Sequence, residues 1–184
     1  VAAQGLPPGH LAVVRVGSGT GAPTNAATPV FLDLFTAAGG PLHSLSLPTA
    51  AIGGQRALCL SGTATSEGQL TQSLDGRFLL LAGYDAPIGT PRTIGRIALD
   101  GTIDTWTGIT DSLSGNNVRC AASDDGSHYW VVGGNSGVVL AFHGASSGGS
   151  LNTLPPTNCR FVDAHDDQLY LTSGSGAFRG IVAL

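Results

Sequence analysis

The chain has 184 residues and a formal net charge of −4, with 42% hydrophobic and only 11% charged residues. That is enough for one domain with a real core, too apolar for a disordered chain, and too sparsely charged for exposed amphipathic helices or for the basic footprint of a nucleic-acid binder. There is no lysine, one glutamate (Glu67) and no methionine, which excludes lysine Schiff bases, a P-loop lysine and thioether ligation, and no apolar run approaches the ~20 residues of a membrane span.

Gly (28 residues) and Pro (10 residues) are abundant, as in many short strands joined by tight turns. In chain order, the first strand-like run is Gly9-His-Leu-Ala-Val-Val-Arg-Val-Gly17. A polar loop over 18–28 follows, then a strand over Pro29–Thr36, a Gly-rich turn, and an alternating strand over Pro41–Pro48. The stretch 50–69 reads as a long loop. The turn-and-strand segment Asp75-Gly-Arg-Phe-Leu-Leu-Leu-Ala-Gly83 then leads through a loop over 84–92 to strands over Thr93–Leu99 and Thr102–Ile109. A loop over 111–117 precedes Asp125-Gly-Ser-His-Tyr-Trp-Val-Val-Gly133, a strand over Val138–Phe142, and a strand over Ser150–Leu154. The last copy is Asp166-Asp-Gln-Leu-Tyr-Leu-Thr-Ser-Gly174, followed by a strand within Ala177–Leu184.

The three full copies align without gaps at offsets of 50 and 41 residues. Each unit therefore reads as strands A, B, C and D, with Asp-Gly or Asp-Asp turning A into B. B is a continuous apolar run, expected to be buried on both faces, whereas D alternates and is partly solvated. A sandwich or solenoid would also give short strands, but four antiparallel strands repeated in phase are the pattern of β-propeller blades. The expected fold is all-β: a partial propeller of about three and a half blades, covering roughly 9–49, 68–110, 118–155 and 160–184,. Such a count leaves the ring unclosed, with the remainder in a missing second half or supplied by another chain. The absence of an initiator Met at Val1 fits loss of an upstream segment, such as a signal peptide, or an internal fragment,.

The runs Thr28-Pro-Val-Phe-Leu-Asp33, Leu60-Ser-Gly-Thr-Ala-Thr-Ser-Glu-Gly68, Leu81-Ala-Gly-Tyr-Asp-Ala86, Ser114-Gly-Asn-Asn-Val-Arg119 and Ser173-Gly-Ser-Gly-Ala-Phe-Arg-Gly180 resemble a family of secreted, largely uncharacterised bacterial and green-algal proteins that look like single β-propellers about twice this length. The resemblance implies that the chain corresponds to the N-terminal half of such a domain. It brings no catalytic residues. Cys59, Cys120 and Cys159 depart from the family pattern.

An odd number of cysteines leaves two readings open: three buried thiols, or a Cys120–Cys159 bridge between corresponding strands of neighbouring repeats. Asp163, Asp166 and Asp167, with His165, form the densest polar cluster, expected to act in turn formation or to ligate Ca²⁺; Asp124-Asp125 has the same two readings. Gly144-Ala-Ser-Ser-Gly148 matches G-x-S-x-G but falls in a hairpin rather than the strand-to-helix turn a nucleophile requires. The long loops gather at one end of a propeller, where they carry Asn25, Arg56, Glu67, Tyr84, Asp85, Arg92, Asn116 and Asn117. Long loops on a rigid scaffold favour binding. The expectation is a secreted or cell-surface, non-enzymatic binding or structural module whose partner is a glycan, a peptide or another chain. The alternatives are a secreted hydrolase or lyase with an axial site, and an assembly subunit completed by a second chain.

Overall fold

The computed structural model describes residues 5–86, 88, 91–135, 137–146 and 156–184. These residues are all-β, with antiparallel pairing throughout and a short 3-10 turn at Gly176–Phe178. Strands β1 (Leu11–Val16), β2 (Ala27–Phe35) and β3 (Pro41–Ser46) form a first meander with β2 in the middle. Strands β5 (Leu70–Gln72), β6 (Phe78–Tyr84), β7 (Arg92–Ala98) and β8 (Ile103–Ile109) form a second. The third comprises β9 (Val118–Ala122), β10 (His128–Gly133) and β11 (Val138–Phe142), and the fourth β12 (Cys159–His165), β13 (Gln168–Ser173) and β14 (Gly180–Ala183). The short strand β4 (Cys59–Ser61) bridges β2 to β6 and joins the first two meanders into one sheet. Among the described residues no sheet closes on itself.

Turn chemistry sets this register. Ser73 donates its hydroxyl to Asp75 and accepts the Phe78 amide, while Gly76 takes φ +75°. Ser123 Oγ accepts the Gly126 amide and Asp125 accepts that of Ser127. In the last copy Asp166 and Asp167 both adopt left-handed backbone (φ +47° and +59°) in a two-residue hairpin between His165 and Gln168. Aspartate tolerates that region better than most side chains, and a turn of this hand matches strand twist.

Core packing alternates along the central strands. Leu80, Ala82 and Tyr84 of β6 face a core shared with Val118 and Ala121 of β9 and Tyr129 and Val131 of β10. The opposite face of β6, through Leu79 and Leu81, meets Val30, Leu32 and Leu34 of β2. Cys120, Ala122, Trp130 and Val132 turn the other way, onto Val162 and Leu171 of the fourth meander. Consecutive meanders thus stack face to face with an apolar layer between each pair, and β6 and β10 are covered on both sides, as their unbroken apolar runs implied.

Several sequence expectations need correction. The stretch 50–69 is not one loop, because Leu58 and Leu60 are fully buried and draw Cys59–Ser61 into β4. Tyr84 and Arg92 are not loop residues either; they pair across β6 and β7. The Cys120–Cys159 bridge does not form. All three cysteines are buried and free, and the Cys120 thiol donates toward Val162 O (3.4 Å) while that of Cys159 points to Pro156 O (3.5 Å). Burial pushes the Cys120 thiol up to about 12 and raises those of Cys59 and Cys159, which keeps them protonated and unreactive,. The expected strand over Ser150–Leu154 lies outside the described residues.

The glycines at the ends of β6 and β10 are there for steric reasons. A Cβ on Gly133 would sit 2.3 Å from the Asn117 backbone oxygen, and one on Gly83 would sit 2.8 Å from that of Cys59. At Gly174 the nearest atom is instead the Asn158 side-chain amide, 2.8 Å away, which can swing aside. Gly133→Ala is expected to lower the unfolding free energy by about 3 kcal/mol and Gly174→Ala by under about 1 kcal/mol in denaturant titrations. Equal losses would contradict the close-approach reading.

Candidate ligand-recognition site

Glu67 stands between β4 and β5, in the segment that separates these two short strands, both of which pair with β6. Its carboxylate accepts the Tyr84 hydroxyl (2.6 Å) and the Asn117 amide (2.5 Å) at Oε1, and the Ser61 backbone N–H (3.1 Å) at Oε2. One side chain therefore ties together β4, the end of β6 and the approach to β9. Tyr84 is 2% exposed, so its hydroxyl depends on this partner,. Burial first, and then the Glu67 hydrogen bond and charge, raise the Tyr84 phenol above its ordinary range.

Beneath Tyr84 lies Arg92, 2% exposed, with its guanidinium 5.1 Å from the Tyr84 ring centroid. Arg92 donates to the backbone oxygens of Leu113 and Asn116, the latter at 2.7 Å. Desolvation lowers its pKa, partly offset by Tyr84 and Glu67. It fastens the loop before β9 from below. That loop holds Leu113 in left-handed backbone (φ +61°) although the side chain is fully buried, a strained arrangement that surrounding contacts must impose.

Above this buried layer is a concavity of about 320 Å³ lined by Asn25, Ser61, Glu67, Tyr84, Ile88, Gly115, Asn116 and Asn117. Asn25 comes from the loop between β1 and β2. That loop meets the Glu67 segment at Gly62, where a Cβ would lie 2.7 Å from Thr24 O. Asn25 and Asn116 are exposed at the rim, while Tyr84 and Glu67 make the floor.

Of the eight residues singled out in the sequence, five converge here: Asn25, Glu67, Tyr84, Asn116 and Asn117. Arg92 is inaccessible and supports the loop instead. Arg56 and Asp85 pair with each other at 3.0 Å, Asp85 also accepts the Ala57 amide (3.1 Å), and Arg56 reaches Trp106 O at 3.4 Å. They clamp the segment before β4 against β6 and β8. Three contributors were not foreseen: Ser61 looked like loop until β4 formed, Ile88 carries no local signal beyond its apolar side chain, and Gly115 has no side chain to single it out.

The acidic cluster Asp163, Asp166 and Asp167 does not converge. Asp163 caps the Ala164 amide from β12, and Asp166 lies 3.3 Å from the His165 imidazole. Among the described residues, the group whose ligand atoms approach within 4.8 Å of one another is Asp124, Asp125 and His128. Those carboxylates already fasten their own turn, and the Ser127 hydrogen bonds hold Asp125 down at about 2. Gly144 begins a turn after β11, and the described part of G-x-S-x-G shows no helix. Ser147 and Gly148 lie outside the described residues. No helix among the described residues is long and apolar enough to cross a membrane.

Comparison with known proteins finds no matching family model and no matching curated protein.

Glu67→Ala strands three donors, one of them the buried Tyr84 phenol, and is expected to cost about 2–4 kcal/mol of stability,. Glu67→Gln keeps one good acceptor and is expected to cost about half as much. Chemical denaturation of both variants checks this, and losses under about 0.5 kcal/mol for the alanine variant would show that the carboxylate is not the tie described.

Proposed function

We propose that this chain is part of a β-propeller acting as a non-enzymatic binding module, and that the concavity over Glu67 and Tyr84 is its recognition site. The observation that carries the reading is the convergence of Asn25, from the loop between β1 and β2, with Asn116 and Asn117, from the loop before β9, over one buried carboxylate–phenol–guanidinium tier. The propeller reading is supported by meanders of one connectivity stacked in chain order, with the inner strand of each later unit packed on the preceding one: β9 on β6, and β12 on β9 and β10. In a propeller that order follows from blades arranged around an axis.

A binding role is favoured over catalysis by the state of the carboxylate. Glu67 is held by three internal donors, and a general acid or base must be within reach of substrate rather than saturated by the protein. The rim offers amides, which donate and accept at once and so match vicinal hydroxyls. The volume lies in the range of small-ligand sites, about 300–1,000 Å³. A neutral, hydroxyl-rich ligand such as a glycan segment fits this chemistry, and the secreted or cell-surface setting implied by the family resemblance is where such ligands are met.

The test is a screen of neutral oligosaccharides by isothermal calorimetry, followed by Asn25→Ala and Asn116→Ala. Each rim substitution is expected to weaken binding by about fivefold to thirtyfold, the worth of one or two hydrogen bonds, with unchanged thermal unfolding. Full affinity in the double variant would place the ligand elsewhere.

A further inference from the structure

Arginine–aromatic contacts in this chain come with a carboxylate. Arg15 lies 4.2 Å from the Phe31 centroid and 2.6 Å from Asp33. Arg77 and Arg96 flank Phe78 at 5.3 and 4.7 Å and pair with Asp75 and Asp104, respectively. Arg92 stands over Tyr84, whose hydroxyl is held by Glu67. Aromatic face, cation and acid recur together, as expected for a cation attracted at once by a ring quadrupole and a counter-charge.

One place has the ring and the acids without the cation. Between the third and fourth meanders, at the end carrying the Asp-Gly and Asp-Asp turns, a cleft of about 410 Å³ has Trp130, Leu140 and Leu169 among its apolar walls, with Asp124 and Asp167 also lining it. No arginine lines it. In the alignment of the repeats, Ser127 stands where the second unit has Arg77. Asp167 forms no hydrogen bond or ion pair with a described residue; Asp124 Oδ1 accepts the Asp125 amide of its own turn at 2.8 Å and lies 3.6 Å from His128 Nε2. The indole is half-buried and held edge-on by the His128 ring, 4.7 Å between centroids at 83°.

We propose that this cleft is a binding site for a small organic cation, an ammonium with an apolar body, whose charge sits at Asp124 and Asp167 and whose methyl or methylene groups lie on Trp130, Leu140 and Leu169. Its chemistry differs from that of the amide-rimmed concavity, and it does not rest on that site being a receptor. The volume admits a ligand of several carbon atoms, and apolar walls with a few placed charges are the usual composition of a small-molecule site.

The experiment is a proton–nitrogen NMR titration with choline, using the neutral isostere 3,3-dimethylbutan-1-ol as control. The chain has two tryptophans. Trp106 sits on β8, outside this cleft, and its indole N–H serves as the internal reference. Choline is expected to shift the Trp130 indole resonance saturably, the neutral isostere to bind at least about tenfold more weakly, and the pair Asp124→Asn and Asp167→Asn to weaken choline by about tenfold, as loss of the counter-charges requires. Both positions are at the surface, and unchanged amide spectra confirm that the variants are folded. An unshifted Trp130 resonance at tens of millimolar choline, equal binding of the alcohol, equal shifts at both indoles, or an unaffected double variant would each overturn the proposal.

Discussion

Burial of the central strands on both faces is the constraint from which the rest follows. A strand such as β6, with Leu79 and Leu81 on one side and Leu80, Ala82 and Tyr84 on the other, cannot rest against a single partner. It requires a layer on each side, and β10 makes the same demand through Tyr129 and Val131 against Trp130 and Val132. Stacked sheets answer both. The stacking in turn dictates which residues are small. Ala82, Ala121 and Ala122 lie within these layers, and Gly83 and Gly133 occur where the backbones of Cys59 and Asn117 approach closely; close-packed interiors tolerate little extra volume there.

The polar tier at the long-loop end depends on the same stack. Tyr84 extends the apolar column of β6 to its last residue, and its hydroxyl must then find a partner inside the protein. Glu67 provides one, and in doing so fixes Asn117 and the Glu67 segment; Arg92 holds the next loop through its carbonyls. Hydrogen bonds that cross-link a buried polar network restrain it. Asn25 and Asn116, exposed at the rim, stand over this floor. The Trp130 cleft lies toward the opposite end of β10 from this tier, where the turns are tight and the indole is half-covered.

Much of this architecture was legible in the sequence. The B strands, the Asp-Gly turns and the order of the meanders follow from composition and the offset copies, because turn chemistry and hydrophobic period are local properties. β4 was not legible, since three residues flanked by polar loop carry no period, and only the burial of Leu58 and Leu60 reveals it. Arg92 looked like a surface contact because charged residues are ordinarily exposed; its burial is set by Tyr84, Leu113 and Asn116, which are distant in sequence. The cysteines show the same limit. Equivalent positions in neighbouring repeats suggest proximity, yet the direction of each Sγ is decided by side-chain packing. Convergence of the asparagines could be guessed as loops at one end, but the shared concavity depends on Glu67, whose three partners lie 6, 17 and 50 residues away. The Trp130 cleft was missed because β10 reads as unbroken core.

Native-state hydrogen exchange is the most direct measurement of the stacked architecture. If the layers cohere as one unit, amides of β6 and β10 exchange only through global opening, with a common free energy equal to that of unfolding, while the outer strands β1, β3 and β14 open at lower cost. Exchange of β10 at a free energy well below that of β6 would mean that the meanders fold separately, and the account of a single stack supporting both sites would not stand.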